Sequence, residues 1–123
     1  MSLVPDPDNR RQFQRVRVDA AVRLYSDREM WATTLVDLAL KGALVERPRE
    51  WVGEVGKIQR LELRVNPLVI VSANARIAHV GENFIGFCFE RMDLDSFVAL
   101  KRLIELNLGD PAQLGRELAA LDR

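Results

Sequence analysis

The sequence has little of what catalytic, metal-binding and disulfide-stabilised proteins need. Its 123 residues include one cysteine, Cys88, and one histidine, His79. One cysteine cannot form an internal disulfide, which suits a reducing compartment, so we expect a cytoplasmic protein. A His/Cys metal cluster cannot be built from one residue of each kind, and no Ser-His-Asp arrangement surrounds His79. Since a phosphate loop and a GxGxxG motif are also absent, we predict that the protein is not an enzyme.

The chain also lacks net charge and long apolar segments. Its 18 basic residues balance 18 acidic residues, whereas proteins that bind nucleic acid in bulk usually carry a broad basic excess. We therefore expect no DNA or RNA partner. No apolar run approaches the roughly 20 residues of a membrane-spanning helix. Residues 1–9 lack the features of a signal peptide, and their prolines and acidic residues predict a flexible lead.

Alternation of apolar and polar residues predicts an antiparallel β fold. A period of two runs through residues 15–24, and residues typical of strands recur at 31–37, 42–46, 58–65, 68–80 and 84–90. The segment 68–80 can be one long strand or two strands with a bulge. Gly42 opens a strand, and we expect it to have a positive φ. Several short strands with frequent turns favour a small antiparallel barrel or sandwich.

The hydrophobic period changes to that of a helix after the last strand. Apolar residues recur at helical spacing from Leu94 to Leu106, and Asp93 or Asp95 can cap the start. Gly109 ends this helix, and Pro111 begins a second one. Two amphipathic helices of this kind must cover the barrel or contact another chain.

Two short segments form the pattern that suggests a ligand. Residues 10–17 hold four arginines, whose planar guanidinium groups suit phosphate and the O6/N7 edge of guanine. The second segment runs from Asp37, which ends a strand, to Gly42, which begins the next one. Each segment alone is ordinary, since an arginine cluster is usually a solvated arm and Asp-x-x-x-x-Gly is usually a hairpin corner.

Together and in this order, the two segments resemble the PilZ domain. The pattern of that family is Arg-x-x-x-Arg, a strand, and then Asp/Asn-x-Ser-x-x-Gly at the next turn. Phe84-Ile85-Gly86-Phe87 and the segment 92–95 extend the likeness, which covers roughly residues 10–121. It implies a mainly β (α+β) fold, a six-stranded antiparallel PilZ-type barrel with two C-terminal helices. The domain would span 10–123, with the barrel at about 14–91 and the helices at about 94–121.

The resemblance also implies a ligand, cyclic di-GMP, and no other cofactor. Arg11 and Arg15 would contact its phosphates and guanines, Asp37 would accept from a guanine or orient an arginine, and Gly42 would allow close backbone approach. Arg10, directly before the motif, implies two ligand molecules per chain. The nucleotide-binding candidates are therefore Arg10, Arg11, Arg15, Asp37, Ala39, Gly42 and His79.

Two of these candidates depart from the family's pattern. Ala39 replaces the family's serine, so a hydroxyl that could bond the ligand is missing, at a cost of about 0.5–1.5 kcal/mol. His79 stands where many relatives carry an aromatic residue that stacks on guanine. An imidazole can stack with less area, or His79 can be a strand-end residue without a ligand role.

Three functions are consistent with these observations. The first is a cyclic di-GMP receptor that signals to an unknown partner protein, as a monomer or a weak dimer. An alternative is a PilZ-like adaptor that binds no nucleotide and acts through protein contacts in type IV pilus assembly or motility. The intact arginines argue against the adaptor, and Ala39 argues for it. The second alternative, a barrel that binds single-stranded nucleic acid, would need a basic groove rich in aromatic residues, and we expect none because this chain has no basic excess.

Overall fold

Six antiparallel strands form a closed barrel in the computed structural model, which describes residues 15–67, 69–107, 118–119 and 121. The strands are β1 (Ala21–Ser26), β2 (Glu29–Leu38), β3 (Gly42–Glu46), β4 (Ile58–Asn66), β5 (Val69–Val80) and β6 (Phe84–Met92). Their order around the barrel is β1-β2-β3-β6-β5-β4, and pairing of β1 with β4 closes it. The predicted mainly β, six-stranded antiparallel barrel is confirmed.

The alternating pattern of the sequence fills the barrel. In each strand every second side chain points inward, so the apolar residues of all six strands meet in one core while the polar residues between them face outward. Closure leaves no unpaired strand edge in the barrel. The largest fully buried side chains are Val22, Leu24, Leu38, Val45, Leu61, Leu63, Ile77, Ile85, Leu100 and Ile104.

The first predicted strand is interrupted in the structure. Regular pairing begins only at Ala21, although residues 15–20 also lie beside β2. The pairing of Val16 with Leu38 is offset by one residue from that of Ala21 with Thr34. This offset breaks the ladder, so that Val16 forms an isolated bridge in front of β1.

The segment predicted as one strand or two is one continuous strand, β5, with irregular pairing to β6. The register shifts between Asn74 and Ala75 and again between Ile77 and His79. At the second shift Ile77 pairs with Phe87 and His79 pairs with Gly86, which leaves Ala78 as an extra residue on β5. The bulge therefore determines which side chains of β5 beyond Ile77 face outward.

Helix α1 (Leu94–Asn107) follows β6 and packs on the barrel. The Oδ1 atom of Asp93 accepts a hydrogen bond of 2.7 Å from the Ser96 N–H, so Asp93 is the N-cap and the other candidate, Asp95, lies in the first turn. The Oγ atom of Ser96 in turn accepts from the Ser72 N–H at 3.0 Å, which fixes the start of α1 to β5. The inward face of the helix carries Leu100, Leu103 and Ile104.

The second predicted helix is only partly within the described residues. Leu118, Ala119 and Leu121 are helical, and Leu118 and Leu121 pack against the core. Gly109 and Pro111 lie outside the described residues, as do the predicted lead in residues 1–9 and the predicted start of the domain at residue 10. Within the part of the chain that is described, no helix has the length and hydropathy required to cross a membrane.

Candidate ligand-binding site

The two segments singled out from the sequence meet where the chain enters the barrel. The Val16 N–H donates to the Leu38 carbonyl at 2.8 Å, and the Leu38 N–H donates to the Val16 carbonyl at 2.9 Å. Both side chains are buried in the core, so the residues beside them face outward. Arg15 and Arg17 on one side and Asp37 on the other are thereby brought together on the outer surface.

Two guanidinium groups approach the carboxylate of Asp37. Arg15 Nη1 lies 3.9 Å from Oδ2, and Arg17 Nε lies 3.9 Å from Oδ1. The Arg15 and Arg17 side chains are 56% and 88% exposed, whereas that of Asp37 is 20% exposed. Exposed pairs at such a distance contribute only about 0–1 kcal/mol to stability. Either arginine can therefore turn toward an incoming anion at little cost.

The turn between β2 and β3 is fixed on both sides. The Ala39 N–H donates to the Gly42 carbonyl at 2.9 Å, and the Gly42 N–H donates to the Ala39 carbonyl at 3.4 Å. Leu40 is buried under the turn, while Lys41 is exposed. The Lys41 carbonyl accepts from the Phe89 N–H at 2.8 Å, which fastens the turn to β6. The positions of both residues are thus fixed, with Ala39 buried and Lys41 exposed.

The structure favours a glycine at position 42, but for a different reason than the predicted one. Among the described residues Gly56 is the glycine with a positive φ, so the expectation of a positive φ at Gly42 is wrong. A Cβ atom on Gly42 would lie 2.0 Å from the Phe87 carbonyl oxygen. The close pairing of β3 with β6 disfavours any side chain here, because the obstacle is backbone rather than the end of a flexible side chain.

A surface pocket of about 320 Å³ lies between Arg15, the β2–β3 turn and β6. This is at the lower end of the roughly 300–1,000 Å³ of small-molecule sites. Small residues give it an open floor, and Arg15, Asp37 and Lys41 place charges on it. Such an arrangement can accept a flat ring and an anionic group together. The lining residues are Arg15, Asp37, Ala39, Lys41, Gly42, Ala43, Leu44, Ala78, Gly86, Phe87 and Cys88.

His79 lies beside this pocket but does not line it. It is exposed and pairs with Gly86, where an added Cβ atom would lie 3.4 Å from the Cβ atom of His79. Because of the bulge in β5, the extra residue Ala78 lines the pocket instead. The stacking role of His79 stays a prediction.

The structure gathers four of the seven predicted residues around one pocket: Arg15, Asp37, Ala39 and Gly42. Arg10 and Arg11 lie outside the described residues, so their roles stay predictions. Sequence reasoning passed over Lys41, although a cation inside the turn motif was a visible signal. It could not have found Ala78, whose position depends on pairing with a distant strand.

Comparisons with known proteins agree with this fold. The model of the PilZ domain family matches residues 9–106. The PilZ domain of Escherichia coli YcgR, solved with c-di-GMP, superposes with a TM-score of 0.65 at 17% identity, covering 90% of this chain and 98% of that one. YcgR in complex with c-di-GMP gives 0.66 at 18% identity, with coverage of 93% and 51%. The Bacillus subtilis inhibitor of motility MotI/DgrA gives 0.66 at 15% identity, with coverage of 83% and 55%.

The chain spans about half the length of the last two proteins. At these identities the likeness to solved structures concerns the fold.

Proposed function

The chain belongs to the PilZ domain family, and on that premise we propose that it is a receptor domain for cyclic di-GMP that signals to a partner protein. The observation that carries the proposal is the convergence of Arg15 and Asp37 on one pocket beside the Ala39–Gly42 turn. PilZ domains are regulatory binding domains, and the proposed role involves no catalytic step.

The chemistry of the pocket suits this ligand. Cyclic di-GMP carries two phosphates and two guanines, which need cations, a carboxylate acceptor and flat surfaces. Arg15 is exposed and only loosely paired with Asp37, so its guanidinium is available for a phosphate or a guanine edge. Each such charge-assisted bond contributes about 1.5–3 kcal/mol. Asp37 can then accept from the N1–H and N2–H₂ groups of a guanine, and Lys41 adds positive charge at the rim.

The remaining contacts would come from the arm. Arg10 and Arg11 stand five and four residues before Arg15, which is the first described residue and lies beside the pocket. Their two guanidinium groups would add charge-assisted hydrogen bonds to the ligand. The unpaired thiol of Cys88 suits a reducing compartment, so we place this receptor in the cytoplasm.

A second candidate function is an adaptor that binds no nucleotide. Ala39 favours it, because this residue lies in the pocket with only 9% of its surface exposed and offers no hydroxyl. The likeness to an inhibitor of motility is compatible with an adaptor in motility. The loss of one neutral hydrogen bond, about 0.5–1.5 kcal/mol, is smaller than the contribution of the arginines, and this difference favours the receptor.

Titration calorimetry of the full chain distinguishes the candidates. Cyclic di-GMP, GMP and a short single-stranded oligonucleotide are titrated separately into the protein. The receptor predicts saturable binding of cyclic di-GMP and at most weak binding of the other two. Absence of heat with all three would favour the adaptor, and preference for the oligonucleotide would favour a nucleic-acid-binding barrel.

A further inference from the structure

Five side chains form a row across the outer face of the barrel, away from the ligand pocket. Strand pairing joins Met30 to Tyr25, Tyr25 to Arg60, Arg60 to Asn74 and Asn74 to Arg91. This cross-strand row therefore passes over β2, β1, β4, β5 and β6. At about 4.8 Å per strand it follows the outer surface for roughly 19 Å and curves around the closed barrel. The ion pair of Arg76 with Glu90, 3.2 Å long, lies between the row and the pocket.

Both arginines of the row, Arg60 and Arg91, are exposed. Within the described ranges, neither Arg60 nor Arg91 has a hydrogen-bond or ion-pair partner. The carboxylates nearby are already engaged: Glu62 with Arg64 at 2.9 Å, Glu90 with Arg76 at 3.2 Å, and Asp93 with the Ser96 N–H at 2.7 Å. Among the described residues this leaves Arg60 and Arg91, one on each side of Asn74, able to take a carboxylate from a partner.

The arginines flank a shallow depression of about 180 Å³. Asn74 lies between them, and Ser72, Ala73, Met92 and Asp93 complete the lining. Arg60 and Arg91 are two strand spacings apart, which puts their Cα atoms at roughly 10 Å. Each guanidinium can bind a carboxylate through two parallel hydrogen bonds, while the Asn74 amide can donate to a backbone carbonyl between them.

The other end of the row is amphipathic. Met30 is 51% exposed, and Tyr25 is partly exposed beside it. Arginine, tyrosine and methionine are enriched at the centres of protein interfaces, where a few such residues carry most of the binding energy. We propose that the cross-strand row docks an acidic segment of a partner protein. Arg60 and Arg91 each bind one of two carboxylates about 10 Å apart, and Tyr25, which pairs with Arg60, covers an adjoining apolar side chain.

Fluorescence anisotropy with the full chain tests the proposal. The probe is a short fluorescein-labelled peptide of alternating Glu and Ser, and a peptide with Gln in place of Glu is the neutral control. Removal of both row cations by Arg60→Ala with Arg91→Ala should weaken binding of the Glu peptide at least about tenfold. Arg28→Ala with Arg102→Ala removes the same charge from exposed positions outside the row and should change the affinity less than about twofold.

Three results would overturn the proposal. They are no saturable binding of the Glu peptide by the parent, equal weakening by both pairs of substitutions, and tighter binding of the Gln peptide. Vesicles with phosphatidylglycerol are titrated in parallel. If the protein binds the vesicles but not the Glu peptide, and the row substitutions weaken that binding, the row is a membrane-binding surface and the proposal is wrong. Arg60→Lys with Arg91→Lys keeps the charge and should restore part of the affinity. No nucleotide is present, so the outcome is independent of the proposed receptor function.

Discussion

Replacement of Gly42 by alanine should destabilise the fold and not merely weaken ligand binding. The new Cβ atom would lie 2.0 Å from the Phe87 carbonyl oxygen and 3.1 Å from the Phe87 carbonyl carbon, and real Cβ contacts are essentially never below 3.0 Å. Strand β3 would have to move away from β6 by about an ångström, which weakens the pairing of Gly42 with Cys88. Overpacking of about 1–3 kcal/mol and one weakened hydrogen bond of about 1 kcal/mol give a loss of roughly 2–4 kcal/mol.

Gly86→Ala is the matched control, since Gly86 also lies in a paired strand and lines the same pocket. The nearest atom to its added Cβ is 3.4 Å away, an ordinary contact. Alanine also reduces the entropy of the unfolded chain, so this variant should lie within about 1 kcal/mol of the parent. Urea unfolding without ligand, followed by the fluorescence of the buried Trp31 and Trp51, measures both variants. A Gly42→Ala protein within about 0.5 kcal/mol of the parent would refute the packing explanation.

Three further predictions concern ligand binding. Ala39→Ser should tighten cyclic di-GMP binding by up to about tenfold in calorimetry, and an unchanged affinity would mean that the turn holds the hydroxyl away from the ligand. His79→Ala should weaken binding by about 1 kcal/mol and His79→Trp should improve it, because stacking on a base contributes about 1–3 kcal/mol. Equal affinities of the parent and both variants would mean that His79 has no ligand role. The parent should saturate with two ligands and Arg10→Leu with one, since stacked ligands bring four phosphates together; one ligand on the parent, or two on the variant, would contradict the charge argument.

The barrel could be predicted because its signals are local. Alternation of apolar and polar residues predicts each strand from its own residues. The helical period with an aspartate near its start predicts α1, and Asp93 is the cap. The break before Ala21 could not be predicted in this way. It results from the offset between the Val16–Leu38 and Ala21–Thr34 pairs, and no pattern within residues 15–24 encodes a register with β2.

The same distinction, between local sequence patterns and pairing with distant strands, applies to the residues of the site. Arg15, Asp37, Ala39 and Gly42 belong to two short motifs, so the family resemblance that these motifs carry identifies them. The motif did not explain Gly42, whose nearest obstacle is the backbone of β6. Ala78 lines the pocket because a bulge forms when β5 pairs with β6, which no local pattern in β5 determines.

The central claim is that the arginine arm and the turn bind cyclic di-GMP at one pocket. Calorimetry of Arg15→Ala beside Arg28→Ala tests it most directly, because Arg28 is an exposed arginine in the β1–β2 turn and outside the pocket. The account predicts that Arg15→Ala weakens binding by about 1.5–3 kcal/mol, roughly 10- to 150-fold, and that Arg11→Ala does the same. Unfolding free energies should stay close to the parent, because the ion pair of Arg15 with Asp37 is exposed and 3.9 Å long. Arg15→Ala that binds as tightly as the parent and as Arg28→Ala would contradict the claim.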